Sequence, residues 1–234
     1  MKNLNTDLWI EGANDRRQFL KLAGYGTLGL MTGGLLPFLD HSATAQNQDT
    51  PSAAGFLPDL DISIVSQPGE LAVFPGEATQ TWQYRAIVNK GDKNRVTELP
   101  RSYLGPIIKV HQGEKIRIRF TNSISEESII HWHGLHVPAI MDGHPRYVIS
   151  KGQSYLYEFK VKNRAGTYWY HPHPHRRTGP QVYNGLAGLF LVSDEEEQSI
   201  GLPDGEYDVP WLFRTERLIE TTNFYTLQDT GWSR

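Results

Sequence analysis

Between residues 57 and 194 no stretch keeps a helical apolar period for a useful length, and this constrains the fold more than any other feature. Short apolar runs recur instead, punctuated by glycine and proline. Lys115-Ile116-Arg117-Ile118-Arg119-Phe120 alternates with period two and follows residues 107–110 across a Gln112-Gly113-Glu114 turn. Residues 155–161 alternate again, with Tyr155, Tyr157, Phe159 and Val161 expected on one face. Gly166-Thr167-Tyr168-Trp169-Tyr170 is a further candidate strand. Residues 186–192 (LAGLFLV) are continuously apolar, as in a strand buried on both faces. Many short antiparallel strands between Gly/Pro turns predict an all-β chain, a Greek-key β-sandwich of two sheets. Residues 135–145 and 174–184 read as loops at one end of it, and Asp194-Glu195-Glu196-Glu197 as a solvated domain end.

Composition removes several classes of function. The 234 residues suffice for one large domain or a domain with extras, and 38% hydrophobic residues, many β-branched or aromatic, suffice for its core. A net charge of −3 offers no basic patch for nucleic acid. With no cysteine, this chain makes no disulfide, iron–sulfur cluster, thiolate zinc site or cysteine-ligated blue copper.

Residues 1–45 read as an address rather than as fold. Asp15-Arg16-Arg17-Gln18-Phe19-Leu20-Lys21 resembles a twin-arginine export signal, and Ala43-Thr44-Ala45 supplies an A-x-A cleavage site. The apolar stretch between them holds Gly24, Gly26, Gly29, Gly33, Gly34 and Pro37, which makes a poor membrane span. The expectation is a protein handed folded to the twin-arginine export machinery, with no stable membrane span and a periplasmic or extracellular destination. Residues 46–56 (QNQDTPSAAGF) read as a mobile lead-in.

Two histidine pairs carry the chemistry: His131-Trp132-His133 and His171-Pro172-His173. On an extended strand, i, i+2 spacing turns both side chains of a pair to one face. Two such pairs at one end of a sandwich can bring four imidazoles together, and neutral imidazole suits copper, zinc, iron and nickel. A hydrogen-bonded cluster without metal and a structural zinc site are the alternatives that residue types leave open. His111, His136, His144 and His175 are set aside as ligands; His175 lies one step past its pair, beyond Pro174.

The order His131-Trp132-His133-Gly134-Leu135, Met141-Asp142-Gly143, Gly166-Thr167-Tyr168-Trp169-Tyr170-His171-Pro172-His173, Gly185-Leu186-Ala187-Gly188 resembles the first, cupredoxin-like domain of multicopper oxidases such as laccases. The resemblance covers about residues 57–210, with the domain itself over 57–198. It implies copper. In that family a cysteine-ligated blue copper in the last domain takes electrons from a phenolic or metal-ion substrate. A three-copper cluster, its histidine ligands shared between first and last domains, reduces dioxygen to water. Position by position, the resemblance makes His131 a ligand of the single type 2 copper, and His133, His171 and His173 ligands of the paired type 3 coppers. It makes Asp142 a candidate to orient a ligand ring. Copper-free relatives that act in cell division lack these histidines. Arg176-Arg177 stands where smaller residues are expected and is expected to alter the packing of the loop or access to the cluster.

Beyond Pro210 the resemblance stops. The family continues with a run like Leu-Val-Ile-Gln-Asp-Arg-x-Phe, whereas this chain reads Trp211-Leu212-Phe213-Arg214-Thr215-Glu216. Back-translated with suitable synonymous codons and read from one base earlier, residues 211–220 become Leu-Val-Ile-Gln-Asp-Arg-Ala-Phe-Asp-Arg. The expectation is that 199–210 begin a linker to a second domain missing here, and that 211–234 are an out-of-frame tail. Such a chain would supply half the cluster's ligands without turning over, and would expose the face meant for the absent C-terminal cupredoxin domains, inviting self-association. A copper-binding module without catalysis, and a scaffold or interaction protein without copper, are the other classes.

Overall fold

The computed structural model describes residues 52–72, 76–203, 208–210 and 212. The export signal (1–45), the start of the lead-in and nearly all of the 211–234 tail therefore lie outside the described residues.

Among the described residues nine strands form two sheets. The first is four-stranded, in the order β2 (Thr79–Lys90), β1 (Leu60–Leu71), β5 (Lys115–Asn122), β7 (Ser154–Lys160). The second is five-stranded, in the order β3 (Val96–Thr97), β4 (Ile107–His111), β9 (Gly188–Ser193), β8 (Gly166–Pro172), β6 (Ile130–His133). Alternation decides what each strand buries. Leu60, Ile62 and Ile64 of β1 and Ile116, Ile118 and Phe120 of β5 point between the sheets and are at most 1% exposed. Trp132, Tyr170 and Phe190 meet them from the second sheet, and Trp132 sets its edge against the Tyr157 ring at 5.2 Å.

The two-sheet all-β architecture is the expected one, but its strands are not all antiparallel. β1 runs parallel to β5, and β4 parallel to β9. Each sheet is thus mixed, because a strand from late in the chain enters beside one from early in it. Nothing in the alternation of a strand records the direction of its neighbour. β9 is buried along nearly its whole length, as its continuous apolar run predicts. β7 departs from its expected single buried face: Leu156 and Glu158, on the other side, are also buried.

What covers Glu158 is the segment read as a mobile lead-in, whose described part is tied down. Ser52 Oγ and Ala53 N–H donate to the Glu158 carboxylate at 2.7 and 2.8 Å. Arg117 Nε reaches the same carboxylate at 2.7 Å, and a second Arg117 nitrogen reaches Phe56 O at 3.0 Å. Burial pushes the Glu158 carboxyl up, but Ser52, Ala53 and Arg117 together hold it below its ordinary value.

Two six-residue helices replace expected irregular chain. Thr178–Tyr183 lies inside the expected 174–184 loop. Glu195–Ile200 starts at the acidic run, where Asp194 is buried rather than solvated. Its carboxylate caps Glu197 N–H at 2.8 Å and accepts Ala165 N–H at 2.7 Å, which holds its pKa down. Among the described residues no helix is long and apolar enough to cross a membrane.

Candidate metal centre

Strand register brings the two histidine pairs together. β6 pairs antiparallel with β8, setting His131 opposite His171, Trp132 opposite Tyr170 and His133 opposite Trp169. Trp132 and Tyr170 alternate into the core, both fully buried, so the histidines flanking them turn to the other face. His173 follows β8 directly, and its N–H donates to Ile129 O at 2.9 Å. Pro172 has no N–H to offer the neighbouring strand. The Tyr157 hydroxyl serves the facing residue instead, donating to Ile130 O at 2.9 Å and accepting Ile130 N–H at 3.0 Å.

All four imidazoles then share one face. The His131 ring centroid lies 5.7 Å from that of His133, 5.3 Å from His171 and 5.1 Å from His173. His131, His133 and His171 each present a nitrogen within 4.8 Å of the other two; His173 stands just outside that triad, 6.0 Å from His171 between ring centres. His133 Nδ1 and His171 Nε2 are 3.2 Å apart. Two nitrogens bound about 2.0 Å from one ion at a tetrahedral angle sit about 3.3 Å apart, so this pair fits a single ion. His173 Nδ1 is buried with no hydrogen-bond partner among the described residues.

Two further ring nitrogens are committed. His131 Nδ1 lies 2.6 Å from Asp142 O and 3.3 Å from the Asp142 carboxylate. The expected orienting role of Asp142 thus falls first to its backbone carbonyl. A carbonyl there fixes the Nδ1–H tautomer and leaves Nε2 free. His171 Nδ1 points to Pro172 O at 2.9 Å, which likewise frees Nε2. Burial lowers the His171 pKa to about 4, the adjacent Pro172 carbonyl opposing and the other three histidines adding to the fall. Burial and the neighbouring His131 lower His173 as well. Both rings are therefore neutral, the ligating form, at physiological pH.

Two contributors, Trp169 and Gln181, escaped the sequence reading. Trp169 stacks on His133 (4.9 Å) and His171 (4.2 Å), walling one side of the cluster. Gln181, fully buried on the short helix, accepts from Ser128 Oγ at 2.9 Å and donates to Glu127 O at 2.8 Å. Arg177, one of the pair expected to alter the packing of its loop, grips Glu126 with two nitrogens and so clamps that loop to the bend before β6. The i, i+2 position of Trp169 before His171 is the one signal that could have found it. Of the histidines set aside, His111 bonds Ser193 Oγ at 3.2 Å through Nδ1, and His144 Nδ1 caps Arg146 N–H. His136 and His175 are exposed. Among the described residues, the exposed large hydrophobic side chain in the loop after β6 is Ile140.

A family model described as multicopper oxidase matches residues 80–197. The multicopper oxidase mco of Staphylococcus aureus is 35% identical over 137 residues, covering 58% of this chain and 31% of the relative. The cell division protein FtsP of Escherichia coli is 31% identical over 205 residues, covering 87% of this chain and 40% of the relative. The crystal structure of the McoA multicopper oxidase from Aquifex aeolicus superposes with a TM-score of 0.51 at 36% identity, covering 62% of this chain and 29% of that one. The chain thus spans about a third to two-fifths of the length of these curated relatives.

Proposed function

Because the chain belongs to the multicopper oxidase family, we propose that His131, His133, His171 and His173 hold copper as this domain's half of a three-copper cluster. Copper there supplies the one-electron chemistry by which such a cluster passes electrons from a reducing substrate to dioxygen, giving water. The chain's own residues prepare the ligands. Asp142 O and Pro172 O turn nitrogens of His131 and His171 outward, burial keeps His171 and His173 unprotonated, and Trp169 shields one flank from water.

The observation that carries the reading is the 3.2 Å approach of His133 Nδ1 to His171 Nε2 inside a cluster of four imidazoles on one face. Titration of the metal-free chain with Cu(II) tests it. Tight binding is expected, and His133→Ala with His171→Ala should weaken it by about 100-fold or more. Unchanged affinity would remove these residues as ligands. Export by the twin-arginine route belongs to the same proposal. Replacing Arg16 and Arg17 by Lys should leave the protein in the cytoplasm, and continued export would refute that part.

A second reading, a scaffold that binds no copper, is favoured by one observation: the FtsP relatives align over more of this chain than the oxidase mco does. The same titration separates the two, since a scaffold has no use for four converging imidazoles and predicts no specific copper uptake.

A further inference from the structure

The segment that presents Asp142 to His131 is held from the opposite sheet. β6 is an edge strand of one sheet and β7 an edge strand of the other, and residues 138–143 cross between them. The Tyr155 hydroxyl of β7 donates to Ile140 O at 2.5 Å. The Glu158 N–H donates to Met141 Sδ at 3.3 Å. At the other end Gly143, with φ +75°, presses on β6 so closely that a Cβ there would fall 1.9 Å from Ile130 O. Asp142 O, 2.6 Å from His131 Nδ1, lies between these anchors. The Ile140 side chain is 43% exposed and gives the segment little apolar hold. Tyr155 itself is 2% exposed, its ring fixed 4.9 Å from Tyr157 and 6.1 Å from Tyr147.

We propose that Tyr155 is a positioning residue for the metal centre: its hydroxyl holds residues 138–143 so that Asp142 O keeps His131 in the Nδ1–H tautomer, with Nε2 turned outward to a metal. A free histidine side chain favours the opposite tautomer, so the segment must stay in place for His131 to remain in this one. The consequence for copper rests on the reading of the four histidines given above; the tautomer of His131 stands on the metal-free chain alone.

The test uses the full 234-residue chain, 15N-labelled and metal-free at neutral pH, with histidine tautomers read by two-bond 1H–15N NMR. Wild type should show His131 as Nδ1–H. Tyr155→Phe keeps the ring and loses only the hydroxyl. It should show an appreciable Nε2–H fraction at His131, unchanged signals at His111 and His136, and Cu(II) binding weakened about tenfold. Ser66→Ala removes another buried hydroxyl bond, to Asn122 at 2.9 Å, and serves as the control for lost stability. It should leave the His131 tautomer as it was. Three results would overturn the proposal: Nε2–H at His131 in wild type, an unchanged tautomer in Tyr155→Phe, or an equal shift in Ser66→Ala. A tautomer shift in a chain that takes up no copper would uphold the role of Tyr155 and sink the copper reading instead.

Discussion

His171 shows how much of the proposed metal site resides in its metal-free form. It is 6% exposed, and its folded pKa of about 4 lies below the ordinary 6.5 of an unfolded histidine. Between those values the unfolded chain binds the extra proton, so stability is full above pH 6.5 and falls as pH drops toward 4. The metal-free chain should lose up to about 3 kcal/mol across that window from this residue. Denaturant midpoints measured at several pH values for wild type and His171→Gln check it: the variant's curve should be flatter. The identity of the four histidines was legible in the sequence because i, i+2 spacing has one meaning on a strand. The acceptors were less so. Asp142 could be named from its place in a Met-Asp-Gly run, yet the group nearest His131 is its carbonyl, and every residue carries one of those. Trp169 went unread for a related reason: an aromatic ring next to a histidine on a strand face packs in the core as readily as against an imidazole.

At the scale of elements, β7 is the most informative strand. Its inner face reads directly from alternation; its outer face does not, because what buries Glu158 is a segment from far earlier in the chain. A carboxylate in a strand normally marks the solvated side, and only a partner such as Arg117 with Ser52 makes its burial tolerable. Glu158→Ala should cost about 2 kcal/mol, since it leaves Arg117 with Asp61 as its one carboxylate partner and removes the acceptor of Ser52 and Ala53. It should also make residues 52–56 the first site cut in limited proteolysis; an unchanged cleavage pattern would show that the clasp does not order that segment. The long pair β1 and β2 was not singled out from sequence, although Leu60, Ile62 and Ile64 alternate. Ser66 takes the next buried place in β1, spending its hydroxyl on Asn122, and so blurs the apolar pattern. The short helix Thr178–Tyr183 is invisible to periodicity, being under two turns long and held by Gln181 rather than by an apolar stripe.

For the molecule as a whole, the proposed reading makes the four histidines only one domain's share of a copper cluster, and this sequence has no cysteine with which to build an electron-entry copper. The copper-loaded 234-residue chain should therefore consume no dioxygen with a phenolic substrate above the rate of free copper, as an oxygen electrode would record. Sustained turnover would mean that the four imidazoles suffice. The topology that assembles them has a further effect, on the order in which the chain can fold. β9 lies between β4 and β8, pairing Ile108 with Phe190 on one side and Tyr168 with Phe190 on the other. Until β9 has been synthesised, β3 and β4 have no strand through which to join the sheet of the strands that bear the histidines. Closing that gap joins residues far apart in the chain, a slow, non-local step. Contacts within β6 and β8 can form early, but the sheet that fixes their register becomes whole only at the end. The timing of the histidine face is thus set by a strand that contributes none of its four imidazoles.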